Sequence, residues 1–135
     1  MTRVVDSSGW IEFLADGSLA ALFAPYLAPP EDVLTPAAVL YEVYRWARRE
    51  GGDAAGMEAV AQLEQTRLVP ADHVVAIVAA ELSADRGLAA ADAFVYATAR
   101  LEGCELVTAD TDFRGLPGVT LIEADDLRQK PGGTL

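Results

Sequence analysis

Asp6, Glu42, Asp92 and Asp110 each stand among apolar neighbours in the chain, in positions built to face inward, and together they set the chemistry open to it. Burying one unpaired carboxylate consumes free energy comparable to the whole stability margin of a small domain. Four acids converging on one point therefore require a cation. The chain supplies almost none: its single lysine, Lys130, lies in a Pro/Gly-rich tail, and its nine arginines fall mostly on helical positions that read as solvent-facing. A divalent metal is the simplest neutraliser. All-oxygen ligands favour Mg²⁺, with Mn²⁺ as its substitute, over zinc.

Each acid alone has an ordinary explanation. Glu42 shares a helix face with Val39, Val43 and Trp46, yet it could also pair with Arg45 or Arg49 at the surface, a contact worth about 0.2–0.5 kcal/mol. Asp92 interrupts an apolar face formed by Leu88, Ala89, Val95, Tyr96 and Ala99. Its alternative is helix capping, because a first-turn acid is favoured by free N–H groups and the macrodipole. Asp6, ahead of Ser7-Ser8, could be a strand-to-helix turn residue, and Asp110 and Asp112 could be turn residues as well, with Phe113 stapling that turn to the core. The four become informative together: two strand ends and two inward helix faces are independent routes to one crevice.

The elements that position them alternate between extended and helical patterns. Val4-Val5 reads as a strand ending at Asp6, followed by a helix through Trp10, Phe13 and Leu14 whose first turn Ser7 or Ser8 can cap. Pro25, Pro29 and Pro30 break the next segment. Val33-Leu34 is extended, and Thr35-Pro36 reads as an N-cap with an N1 proline opening a helix to about Glu50. Gly51-Gly52 stops that helix, and a second runs over about 54–65. Leu68-Val69 is the next strand, Asp72 opens a helix ending near Gly87, and another covers about 90–102. Leu106-Val107-Thr108 delivers Asp110, and residues 119–122 form the last strand. Alternation of this kind implies an α/β fold, a three-layer α/β/α sandwich around a short, mainly parallel sheet of four to five strands, because parallel neighbours need crossover connections. Ligands in such folds bind beyond the carboxyl ends of the strands, where Asp6 and Asp110 fall. The expected organisation is one domain over 1–129 and a frayed tail over 130–135.

A formal net charge of −11 argues against a nucleic-acid-coating protein and favours a basic partner. Cys104 is the only cysteine, so neither an internal disulfide nor a cysteine metal site is available, as suits a reducing compartment. No stretch supplies the roughly 20 apolar residues of a membrane span, and no secretory signal is visible, so a cytoplasmic protein is expected. A sole histidine, His73, cannot serve as both acid and base of a metal-free ribonuclease. It reads as a polar residue at a helix start. Arg45, Arg48 and Arg49 follow Glu42 on its helix, and Arg45 is the candidate for touching substrate phosphates at the crevice mouth.

The chain resembles the PIN-domain ribonucleases, specifically the VapC-type toxins of bacterial toxin–antitoxin pairs. The residues that carry the likeness are Val4-Val5-Asp6-Ser7-Ser8-Gly9-Trp10-Ile11, Leu40-Tyr41-Glu42-Val43, Ala91-Asp92-Ala93 with Ala97-Thr98-Ala99, and Leu106 through Phe113. The resemblance implies a PIN-domain-like sandwich in which Asp6, Glu42, Asp92 and Asp110 form the catalytic cluster and hold one or two Mg²⁺ or Mn²⁺ ions. It makes Asp112 an accessory acid, and makes Ser8 and Thr108 hydroxyls that steady a carboxylate. It also implies an RNA substrate, a VapB-like antitoxin and a homodimer. Hydrolysis by metal-activated water leaves a 5′-phosphate and a 3′-hydroxyl. Other classes remain open: a different metal-dependent nuclease or phosphatase on a similar scaffold, or a non-catalytic interaction module in which the acids merely pair with arginines. A haloacid-dehalogenase pattern fails for want of a second aspartate two residues after Asp6 and of a core lysine, and the missing lysine also rules out a receiver domain.

Overall fold

The computed structural model describes residues 1–129, so the tail expected from Lys130 onward lies outside it. Five strands, β1 Arg3–Val5, β2 Val33–Pro36, β3 Arg67–Val69, β4 Glu105–Thr108 and β5 Val119–Leu121, form one sheet in the order β3-β2-β1-β4-β5. Every pairing is parallel, and the register sets Val4 beside Leu34 on one side and Leu106 on the other. Val4, Val5, Val33, Leu34, Leu106 and Val107 are all buried, the unbroken apolar runs expected of strands covered on both faces. Only the edges relax this: β3 is largely exposed and β5 half-buried.

Five helices connect the strands: α1 Ser7–Leu14, α2 Ala20–Phe23, α3 Ala37–Leu63, α4 His73–Arg86 and α5 Ala90–Glu102. Right-handed crossovers from β1 through β2 to β3 place α1, α2 and α3 on one face, and the return to β4 places α4 and α5 on the other. The packing agrees, since α1 lies against α2 and α3 while α4 lies against α5. Between the layers sits a core centred on Phe23, Leu34, Leu63, Leu106 and Phe113. Among the described residues no helix is long and apolar enough to cross a membrane.

Two capping assignments shift by a residue. Asp6 itself is the N-cap of α1, without a side-chain cap bond, because its carboxylate and both serines are engaged elsewhere. Pro36 ends β2 and caps α3, and the Thr35 hydroxyl is buried against that of Thr66 at 2.6 Å. The proline-broken segment still carries one helical turn, α2, followed by short 3₁₀ turns. The two helices expected on either side of Gly51-Gly52 run together as α3 with a sharp kink at Gly52, whose φ of 86° lies in the left-handed region that glycine tolerates. Asp72 caps α4 as expected, accepting from the Val75 N–H at 3.0 Å.

Candidate metal centre

The centre lies where β1 and β4, neighbours at the middle of the sheet, release the chain. From β1 the chain moves one way across the sheet, to β2 and β3, while β4 and β5 lie on the other side, so a crevice opens between the carboxyl ends of β1 and β4. Asp6 follows β1 directly. Its N–H donates to the Val107 carbonyl at 2.9 Å, extending the ladder, and its own carbonyl accepts from the N–H groups of Gly9 and Trp10, opening α1.

The Asp6 side chain is 2 % exposed and needs donors. Asp6 Oδ2 accepts from the Thr108 hydroxyl at 2.8 Å and from the Ser8 hydroxyl at 3.2 Å. The same two hydroxyl oxygens accept from the backbone: Thr108 Oγ1 from the Asp110 N–H at 2.9 Å, Ser8 Oγ from the Ala109 N–H at 3.0 Å. A hydroxyl has one proton to give. With both protons committed to Asp6, the 3.2 Å approach of Ser8 Oγ to Thr108 Oγ1 is a contact that needs no bond of its own. Burial pushes the Asp6 carboxyl above the usual carboxylate range, with Glu42 adding to it, against the opposing pull of Thr108, the Ser7 N–H and Ser8.

Glu42, half-buried on α3, accepts from the Ser7 hydroxyl at 3.0 Å. It makes no surface pair with Arg45 or Arg49, which disposes of the ordinary explanation for this residue. Asp92 sits in the first turn of α5, but Ala89 is the N-cap and no side chain caps the helix. Asp110 accepts from the Asp112 N–H at 2.9 Å and so caps the turn Thr111–Phe113, whose Phe113 is fully buried. That local bond aims Asp110 and Asp112 together: Asp92, Asp110 and Asp112 each present an atom to a group lying within 4.8 Å.

The expected acids thus come together in a graded way. Asp112, expected as an accessory, belongs to the tight triad, while Asp6 lies outside that group and is buried beneath hydroxyls. Of the five acids only Asp6 is fully buried; Glu42, Asp92 and Asp110 are half-buried and Asp112 is exposed, so the crevice is open to solvent. All five are nonetheless felt at one place. Asp92 is pushed up to about 7, first by desolvation and then by repulsion from Asp110, Asp6, Glu42 and Asp112. Among the described residues no Lys, Arg or His nitrogen comes within 4.0 Å of any of these carboxylates, although the chain makes ion pairs elsewhere, such as Arg48 with Asp53 and Arg114 with Glu123. An anionic cluster of hard oxygens without a resident counter-charge fits a divalent cation of the Mg²⁺ or Mn²⁺ type. His73, exposed at the start of α4, and half-buried Cys104 take no part.

Arg45 is exposed and lines a shallow depression with Ser7, Ile11, Glu42, Trp46 and Arg49. This puts a guanidinium beside the acid cluster without pairing to it. Sequence reasoning missed Ser7 as the support of Glu42, having given Ser7 or Ser8 to helix capping. The signal was present in the pair itself: two adjacent hydroxyls after a buried acid are one more than a cap requires.

Fold and site together define an α/β domain of the open parallel-sheet type carrying an acidic crevice at the switch between β1 and β4. Residues 3–119 match the PIN domain family, and the chain belongs to it. The fold is similar to that in a toxin–antitoxin complex from Klebsiella pneumoniae (TM-score 0.77, 23 % identity, covering 88 % of this chain and 96 % of that one). It is similar too to VapC20 of Mycobacterium tuberculosis, described as a sarcin–ricin-loop-cleaving toxin (TM-score 0.74, 23 % identity, 90 % and 100 %). A DNA-bound VapBC from Salmonella typhimurium also shares it (TM-score 0.72, 14 % identity, 90 % and 97 %). Comparison with curated protein sequences gives no significant match.

Proposed function

We propose that this chain is a VapC-type toxin, a Mg²⁺- or Mn²⁺-dependent endoribonuclease held in check by a VapB-like antitoxin. The observation that carries the reading is the convergence of Asp6, Glu42, Asp92, Asp110 and Asp112 at one strand-end crevice with no cationic side chain among them. Support for the toxin assignment comes from the solved structures that share the fold, which include toxin–antitoxin complexes and an RNA-loop-cleaving toxin.

In this reading Asp92, Asp110 and Asp112 would hold the cation, with Asp6 the buried acid of the same cluster. When bound, a divalent ion there would supply Lewis acidity to water and offset charge growing on the phosphoryl group. The protein's own part is positioning. Ser8 and Thr108 fix Asp6, and Ser7 fixes Glu42 through Oε1, which would leave Glu42 to accept a hydrogen bond from the attacking water. Arg45 meets a substrate phosphate at the rim. Water oxygen bonds to phosphorus as the bond to the 3′-oxygen breaks, so the products carry a 5′-phosphate and a 3′-hydroxyl.

The antitoxin contributes a basic segment that meets an acidic toxin, with charge complementarity steering the encounter. Exposed Val74 and Ile77, three apart on α4, form an apolar strip for a homodimer. A reducing cytoplasm suits the free Cys104 thiol and the RNA substrate, and a single domain over 1–129 suffices for the chemistry. The decisive experiment incubates purified protein with mixed RNAs, with and without Mn²⁺, beside Asp92→Asn. Cleavage that requires the metal, is lost in the variant and yields 5′-phosphate ends supports the proposal. Cleavage untouched by the substitution rejects it.

A further inference from the structure

The acid cluster leaves the outer side of α3 unexplained. Tyr41, Tyr44, Arg45 and Arg48 follow at spacings of three, one and three, which puts them on one helix face. With Arg49 and Asp53 they line a groove of about 630 Å³. Arg45 and Arg49 line both this groove and the depression beside Glu42, so the two adjoin. Tyr41 is 63 % exposed, the largest aromatic exposure of the described residues. The groove's walls are fixed: a methyl at Gly56 would come within 2.9 Å of the Tyr44 ring, so the ring lies directly on that glycine, and Arg48 Nε donates to Asp53 Oδ1 at 2.8 Å. Arg45 has no carboxylate within 4.0 Å among the described residues. Arg48 pairs with Asp53 and Arg49 lies 3.8 Å from Glu50, so in a chain of net charge −11 Arg45 is the groove's guanidinium without a carboxylate partner among the described residues.

We propose that this groove seats an unpaired stretch of the RNA substrate, with a base stacked on Tyr41 against Tyr44 and the flanking phosphates on Arg45 and Arg49, so that the strand crosses Arg45 to reach the acids. The proposal rests on the ribonuclease reading and adds to it a selector for single-stranded RNA. A duplex keeps its base faces covered, whereas an unstacked base can lie on an aromatic ring, and arginine satisfies phosphate beside it. A basic protein segment, the partner that suits the acid cluster, is opposed here by the unpaired Arg45.

The test is binding of a short labelled RNA, unpaired or annealed to its complement, measured by fluorescence anisotropy with Ca²⁺ present and the RNA verified intact on a gel. Wild type should prefer the unpaired form. Tyr41→Ala should weaken unpaired binding about tenfold while Tyr41→Phe retains it, because the ring and not the hydroxyl makes the stack. Arg45→Gln should weaken binding and lower the salt slope by about one. Tyr41 is exposed, so neither substitution threatens the fold, and a thermal melt confirms it. Equal binding by wild type and Tyr41→Ala, equal loss in Tyr41→Phe, a preference for duplex, or no binding by wild type overturns the proposal. So does a Tyr41→Ala variant that binds RNA normally and loosens only a protein complex. The two readings fail separately: an inert chain that binds unpaired RNA through Tyr41 rejects the nuclease reading, whereas normal cleavage with a silent Tyr41→Ala rejects the groove.

Discussion

At the scale of single residues, Asp92 and Asp6 carry the site's energetics in different ways. Asp92 holds its proton up to about pH 7 in the fold, against about 3.9 in an unfolded chain, so between those values the folded state binds the extra proton. Its contribution to stability is complete below about pH 4 and is lost as pH rises through 7. Discounted for a half-exposed group, the effect is on the order of 1 kcal/mol. Metal-free protein should therefore melt a few degrees higher at pH 5.5 than at pH 8, a difference that Asp92→Asn flattens, as differential scanning fluorimetry will show. Asp6 depends on its donors. Thr108→Val keeps the shape and removes one of them from a buried carboxylate, at about 1–3 kcal/mol. Calorimetry with Mn²⁺ should also register a 10- to 100-fold weaker site. The four acids were legible because each breaks an apolar pattern. For Ser7 the sequence offered only a spare hydroxyl beside Asp6; that its partner is Glu42, 35 residues away, emerges only on folding.

At the scale of elements, α1 is the part on which placement of the site most depends, since it carries Ser7 and Ser8 between Asp6 and the core. Its close seat on β1 is permitted by Gly9, where a Cβ would fall 2.5 Å from the Phe23 ring and 2.8 Å from Val5 Cγ1. Gly9→Ala should cost about 1–3 kcal/mol and displace α1, read as a lowered melting temperature together with weaker Mn²⁺ binding. Most elements were readable in advance because strands here are buried apolar runs and helices open at clear signals such as Asp72. Gly51-Gly52 marked the right place, but as a break between two helices where the chain instead continues as one helix kinked at Gly52. What escaped were the exact caps of α1 and α3 and the turn of α2. Those depend on whether a side chain is free to cap, and tertiary bonds had already claimed Ser7, Ser8 and Thr35.

At the scale of the whole molecule, the fold confines mutual repulsion to one crevice and leaves it for an added cation to relieve. Saturating Mn²⁺, at about 100 times its dissociation constant, should add about 2.7 kcal/mol of stability, and Asp110→Asn should abolish the corresponding rise in melting temperature. The sheet order was beyond reach of the sequence, because nothing local says that β4 inserts beside β1 and not beside β3; the right-handed crossover rule only sorts the helices once that order is known. That insertion has a consequence for when the protein can act. Asp6 leaves the ribosome before its hydroxyl partner Thr108, which follows 102 residues later, and Asp110 and Asp112 come later still. A nascent polypeptide that has not yet delivered Thr108, Asp110 and Asp112 therefore lacks an assembled centre.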